Sequence, residues 1–327
     1  MNRRQMIAAS AGTIAANVLG RRKLAANDKP AMRFIDMHTH LGTYTNGNKE
    51  LTAKSLVEWM DEHGIEKAVV LPLVSPESTT YLQLPDAAIQ ASKEFPDRLI
   101  PFCSIDPRAI IRGGREGLVS IIRKYVEQGA RGFGEHKVGL DFDDPLMMRI
   151  YEACEEVGIP LLFHLDNRRG KDRPGLPRLE NAVRSFPKLK FIGHGPGWWA
   201  SISGGLDQKS LSGYPKGKVQ PGGAIDRLMG KYANIYGELS AGSGANAISR
   251  DLAFGREFLI RRQDRICFGT DCLEPGQHVP QFELFENLDL PPAVRNKIYR
   301  KNAEQLLQLS LCHKRLVPEW QKSDGTS

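Results

Sequence analysis

The chain has 327 residues, 41% of them apolar and 8% aromatic, enough to bury a sizeable globular core. No run reaches the roughly 18–20 continuous apolar residues of a membrane span, so no stable helical anchor is expected. The formal charge of +7 is concentrated in Arg3, Arg4, Arg21, Arg22 and Lys23, within 26 residues that hold no acid. The remainder is nearly neutral, which argues against a nucleic-acid-binding surface.

Residues 1–26 read as a targeting segment. Arg3-Arg4-Gln5-Met6-Ile7 is followed by a small-residue, weakly apolar stretch from Ala8 to Leu19, a pattern that resembles a twin-arginine export signal. The expected location is therefore periplasmic or secreted, and cytoplasmic if the segment is only a disordered basic N-terminus.

From residue 31 onward, short β-branched or apolar runs alternate with longer amphipathic ones. Strands are predicted at residues 33–38, 68–73, 99–105, 130–137, 160–165, 189–194, 234–239 and 265–270. Helical patterns cover 53–63, 117–128, 145–157, 179–186 and 247–260, and Gly64, Gly129 and Gly158 stand where helices end. Eight strands with intervening helices predict an α/β fold, a (β/α)8 TIM barrel spanning 31–310, with a tail at 311–327. Two connections stand out. The stretch 195–223, with Trp198-Trp199 near its start, is expected to be a lid or substrate wall. The stretch 167–178 carries Arg168, Arg169, Lys171, Arg173 and Arg178, whose field would favour an anionic, carboxylate-bearing substrate.

The strand ends carry the chemistry. The first ends in His38-Thr39-His40, and alternation along a strand points both imidazoles to one side. The fourth carries Glu135-His136-Lys137, the fifth ends in His164, the sixth in His194 and the eighth runs into Asp271. Ionisable groups terminating apolar strands need partners, and barrel closure brings them to one mouth. Imidazoles and a carboxylate with one open position suit a divalent cation, which lowers the pKa of water from 15.7 to about 7. Cys103, Cys154, Cys267, Cys272 and Cys312 are odd in number and scattered, so they imply buried free thiols rather than a disulfide framework or zinc ribbon.

Here FIDMHTHLG, PLLFH, FIGHGPG and FGTD, in that order, resemble the amidohydrolase superfamily, specifically its amidohydrolase-related branch of metal-dependent TIM-barrel hydrolases and decarboxylases. The resemblance implies that His38, His40, His164 and Asp271 hold the metal, commonly Zn2+, with Mn2+ or another divalent ion as alternatives. It also implies that His194 acts as general acid/base, with Asp271 both ligand and proton acceptor. GEHKVGLDF resembles in addition the GExGLD element of TatD-type nucleases, whose glutamate bridges two metals. Lys137 and the GTD in place of ETD depart from that pattern. Glu135 is placed at or near a single metal, and a carbamylated Lys137 bridging two metals and a Glu135–Lys137 ion pair stay open. The expected activity is hydrolysis of a C–N or C–O bond in a small molecule. A decarboxylase, a TatD-like nuclease and a non-catalytic binding protein are the rivals. Glu238 ends the seventh strand as a substrate contact or a hydrogen-bonding group; Arg250, Asp251 and His278 read as helix-surface or loop residues; Asp36 is unassigned.

Overall fold

The computed structural model describes residues 33–44 and 49–309; the proposed export segment, Cys312 and the tail at 311–327 lie outside the described residues. The strands are β1 (Phe34–Thr39), β2 (Ile65–Val70), β3 (Leu99–Pro101), β4 (Phe133–His136), β5 (Leu161–His164), β6 (Phe191–His194), β7 (Ile235–Glu238) and β8 (Ile266–Cys267). All adjacent pairs are parallel, in the orders β1-β2-β3 and β4-β5-β6-β7-β8. Two isolated parallel bridges close the ring: Cys103 with Phe133 joins β3 to β4, and Thr39 with Cys272 joins β1 to β8. The predicted eight-stranded barrel is therefore the observed one.

Local chemistry explains the helices that space these strands. Helix Ala53–His63 starts at Thr52, whose hydroxyl accepts from the Ser55 N–H, and stops at Gly64 in the left-handed conformation. Helix Pro145–Val157 has Asp144 as its cap, Pro145 in its first turn and Gly158 as its left-handed stop. The helical pattern over 247–260 proves to be two helices, Ala241–Ser249 and Leu252–Arg261. Asp251 interrupts it because its carboxylate caps the second helix at the Phe254 N–H. Ile35, Met37, Val69, Leu71, Ile100, Phe102, Leu162 and Ile192 form an apolar cluster drawn from around the ring, while a larger cluster packs between strands and helices. Among the described residues, no helix is long and apolar enough to cross a membrane.

The two unusual connections look different in three dimensions. Trp198 and Trp199 lie in helix Pro196–Ala200 and are fully buried core residues, while much of 204–222 in the stretch expected to be a lid or substrate wall is exposed. The Trp199 indole donates to the Glu238 carbonyl at 3.0 Å, tying this connection to β7. Much of the positive charge in 167–178 is already matched. Arg169 pairs with Asp166, and Arg178 and Lys171 pair with Asp141.

Candidate metal centre

His38, His40, Glu135, His194 and Asp271 converge at the C-terminal mouth of the barrel. His38 Nε2 and His40 Nε2 stand 3.1 Å apart. Asp271 Oδ1 lies 3.4 Å from the first and 3.6 Å from the second. Glu135 Oε2 lies 3.5 Å from His40 Nε2, and its Oε1 lies 3.6 Å from His194 Nε2. Two ligand groups result, His38–His40–Asp271 and His38–Glu135–His194, sharing His38.

The far side of each ring fixes what the near side offers. His40 Nδ1 faces the Leu71 carbonyl at 2.8 Å; a carbonyl only accepts, so Nδ1 carries the proton and Nε2 keeps its lone pair. His38 Nδ1 and His194 Nδ1 face the same Glu238 oxygen at 2.9 and 2.7 Å. With those nitrogens committed, three Nε2 atoms and two carboxylates are gathered as potential ligands in the two groups. A cation, whether a metal ion or a proton on His38, relieves the repulsion among them. Burial opposes a charged His38, yet Asp271, Glu238 and Glu135 raise it to about 9, while burial and the neighbouring His38 lower His40 to about 4. The residues present therefore fit a divalent ion.

Glu238 is the residue sequence reasoning undervalued. It is fully buried, and besides the two imidazoles it accepts from the Ser240 N–H at 2.8 Å and the Ser240 hydroxyl at 2.9 Å. Burial works against its ionisation, but His194 and His38 hold it well below the usual carboxylate range. Gly269 makes room for it, since a Cβ there would lie 2.3 Å from Glu238 Oε2. The glycine of FGTD was the available signal. Asp36, also buried, accepts from the His38 N–H and from the Thr270 N–H and hydroxyl, joining β1 to the end of β8. Burial raises it to about 7 against these hydrogen bonds.

Asp271 sits at φ 58°, a region aspartate tolerates better than most residues. Its N–H donates to the His38 carbonyl, and Gln277 donates to its own carbonyl, so the backbone is held while the carboxylate stays 17% exposed. Gly134 has a similar enabling role, because a Cβ on it would meet the Leu162 carbonyl at 2.4 Å, and the close approach sets Glu135 against β5.

His164 is placed differently from the other predicted ligands. Its Nδ1 meets Glu135 Oε1 at 2.9 Å and its Nε2 meets Asp166 at 2.8 Å, so it stands outside both ligand groups and reaches them through Glu135. Lys137 is 7% exposed and 3.3 Å from Glu135 Oε2, the ion pair among the readings left open. Burial opposes its charge, and Glu135 reverses that and raises its pKa. Arg250 is half-buried, Asp251 is a helix cap, and His278 lies in the connection after Asp271.

The amidohydrolase family profile matches residues 35–309. The chain belongs to the amidohydrolase family. Among solved structures, it is similar to a TIM-barrel protein from Bordetella bronchiseptica at 18% identity, with a TM-score of 0.59 over 84% of this chain and 98% of that one. It is likewise similar to a probable 2-pyrone-4,6-dicarboxylic acid hydrolase from Acinetobacter baumannii, at 13% identity and a TM-score of 0.56, over 85% and 100% of the two chains. A dihydroxybenzoic acid decarboxylase from a Polaromonas species, with manganese and an inhibitor bound, aligns at 18% identity and a TM-score of 0.52, over 85% and 97%. At such identities these likenesses speak to the barrel fold alone. Curated proteins offer no significant match.

Proposed function

We propose that this amidohydrolase hydrolyses a C–N or C–O bond of a small molecule with one divalent metal ion, Zn2+ or Mn2+, held by His38, His40, Asp271 and Glu135. The observation that carries it is the 3.1 Å approach of two Nε2 atoms whose Nδ1 atoms are both committed to acceptors, with Asp271 beside them. His38 favours one ion over two. It belongs to both ligand groups, but its one available lone pair serves one metal. Lys137 supplies a second positive charge at Glu135, where a second ion would otherwise be needed.

The bound ion supplies Lewis acidity and lowers the pKa of water. The protein supplies the proton path. His194 Nδ1 is bound to Glu238 and Ser240, so its Nε2 faces the centre as a base. Burial and His38 lower the His194 pKa, which keeps that nitrogen free to take a proton and return it to the leaving group. Asp271, both ligand and partly exposed, is placed to share that transfer.

A decarboxylase of a small carboxylic acid is the second reading, favoured by Lys137. Among the described residues its ammonium makes one hydrogen bond, to Glu135, so two further N–H donors could serve a substrate carboxylate. Native metal analysis and a substrate panel test both. One equivalent of metal per chain with metal-dependent hydrolysis supports the first, CO2 release favours the second, and two equivalents overturn the single-ion assignment. Activity on single-stranded DNA would restore the nuclease, which the near-neutral charge beyond the leader disfavours.

A further inference from the structure

Two helices open on a hydroxyl residue with a serine three positions later, yet only one of them is capped by that pair. At helix Ala53–His63 the Ser55 N–H donates to the Thr52 hydroxyl at 3.1 Å, and the Thr52 N–H donates to the Ser55 hydroxyl at 2.9 Å, a complete capping box. Ser240 and Ser243 have the same spacing at helix Ala241–Ser249, and Ser240 has the extended backbone of a cap, φ −79° and ψ 172°. Neither capping bond is made there. The Ser240 side chain makes no bond to the helix, and the Ser243 hydroxyl is buried with no partner among the described residues.

The backbone makes a further concession to this arrangement. Ala241, between Ser240 and the helix, takes φ 57°, a conformation disfavoured for a residue with a Cβ, and its N–H turns to the Thr270 carbonyl at 3.3 Å. The fully buried Ser240 hydroxyl lies instead 2.8 Å from His194 Nδ1 and 2.9 Å from Glu238 Oε1. A serine hydroxyl has one proton to donate. Donated to the carboxylate, that proton leaves His194 facing only lone pairs on the serine oxygen, so Nδ1 carries the ring proton and Nε2 stays bare. Glu238 Oε1 imposes the same tautomer at 2.7 Å, but that oxygen also receives His38 Nδ1 at 2.9 Å. Ser240 gives His194 a second acceptor, separate from the oxygen that His38 claims.

We infer that Ser240 is a positioning residue for His194: it is turned away from the helix it would otherwise cap so that its hydroxyl holds the imidazole with Nε2 bare toward the centre. That the held ring acts as the base rests on the metal-hydrolase reading; the tautomer that Ser240 imposes does not. The two partners of His194 then have separable roles. Glu238 acts on both imidazoles and so on the metal ligand His38, whereas Ser240 acts on His194.

The test compares Ser240→Ala with the wild-type full chain. In chelated protein labelled with nitrogen-15 histidine, with His194→Gln identifying the resonances, wild-type His194 should show a protonated Nδ1 and a bare Nε2. In Ser240→Ala the two nitrogen shifts should draw together, because the ring is left with an oxygen it shares with His38. Metal affinity, read by competition against a chromogenic chelator, should stay at the wild-type value. Where a substrate is hydrolysed, kcat should fall roughly two- to ten-fold, the worth of one hydrogen bond, with KM unchanged. Wild-type nitrogen shifts or a wild-type kcat in Ser240→Ala overturn the proposal. So does a loss of metal affinity as large as that of Glu238→Gln, which would make the two roles one. A melting temperature lowered by the roughly 2–4 °C that a lost helix cap is worth, with shifts and kcat unchanged, would return Ser240 to its helix. Shifts that draw together in a protein that hydrolyses nothing would overturn the hydrolase reading and leave the assignment of Ser240 standing.

Discussion

Glu238→Gln isolates the least obvious part of the centre. One oxygen of Glu238 receives His38 Nδ1 at 2.9 Å, His194 Nδ1 at 2.7 Å and the Ser240 hydroxyl at 2.9 Å; the other receives the Ser240 N–H at 2.8 Å. Glutamine has the same shape but one acceptor oxygen. If that oxygen keeps the imidazoles, its NH2 meets the Ser240 N–H donor to donor; if it is flipped, the NH2 meets both imidazole N–H groups. In either orientation the acceptor has lost its charge, and a charge-assisted hydrogen bond is about twice as strong as a neutral one. Residues that orient a metal-bound histidine in this way typically contribute about 10–100-fold to metal affinity, or about 1.4–2.7 kcal/mol. Competition against a chromogenic chelator should therefore show metal affinity weakened by that factor, with the circular dichroism spectrum unchanged. Gly269→Ala should produce the same lesion without altering any charge, because its Cβ would occupy the space of Glu238 Oε2. Wild-type affinity in Glu238→Gln would refute the argument that the far-side carboxylate sets the ligand tautomers.

Asp271→Asn should abolish metal-dependent turnover at nearly unchanged thermal stability. Asp271→Ala should lose the same activity and about 1 kcal/mol of stability besides, since alanine tolerates φ 58° less well; normal turnover in either would refute the ligand assignment. His164→Ala should retain measurable metal binding while His38→Ala does not, checked by metal analysis, because His164 touches the centre through Glu135. Chelation should lower the melting temperature by about 5 °C when metal is otherwise present at a hundredfold excess over Kd, read by calorimetry. Glu180 lies among Lys231, Arg227 and Tyr232, which hold its carboxyl down to about 2 from 4.5, so the stability it contributes is present above pH 4.5 and is lost as pH falls through about 2. In acid titrations Glu180→Gln should be slightly less stable than wild type above that window and match it below, a small effect because the partners are exposed and screened.

The barrel was legible because its signals are local and repeated. Each strand is a short apolar run, and the turn glycines Gly64 and Gly158 occupy the left-handed conformations their positions imply. Local signals are weaker where one residue decides between two continuations. The periodicity over 247–260 continues through Asp251 in sequence, yet the Asp251 carboxylate starts a new helix there. The mouth of the barrel divides in the same way. His38, His40, His194 and Asp271 could be read from sequence because each lies at or just beyond the C-terminal end of a strand, and a parallel barrel delivers those ends to one place. Their partners on the far side could not. Glu238 is 200 residues from His38, and nothing in Tyr-Gly-Glu-Leu-Ser says that one of its oxygens serves two imidazoles. Trp198 and Trp199 misled for the opposite reason. They sit in a connection rich in Gly, Ser and Pro, but β6 and β7 offer glycines on which they pack, at Gly193 and Gly237, and that contact makes these two residues core. The basic residues after β5 read as a field for anions until Asp141 and Asp166 pair with Arg169, Lys171 and Arg178. Pairing of charges across the fold, more than secondary structure, is therefore what sequence withholds here. It also shapes the electrostatics of this mouth, where Lys137 pairs with Glu135 and Glu238 serves two imidazoles.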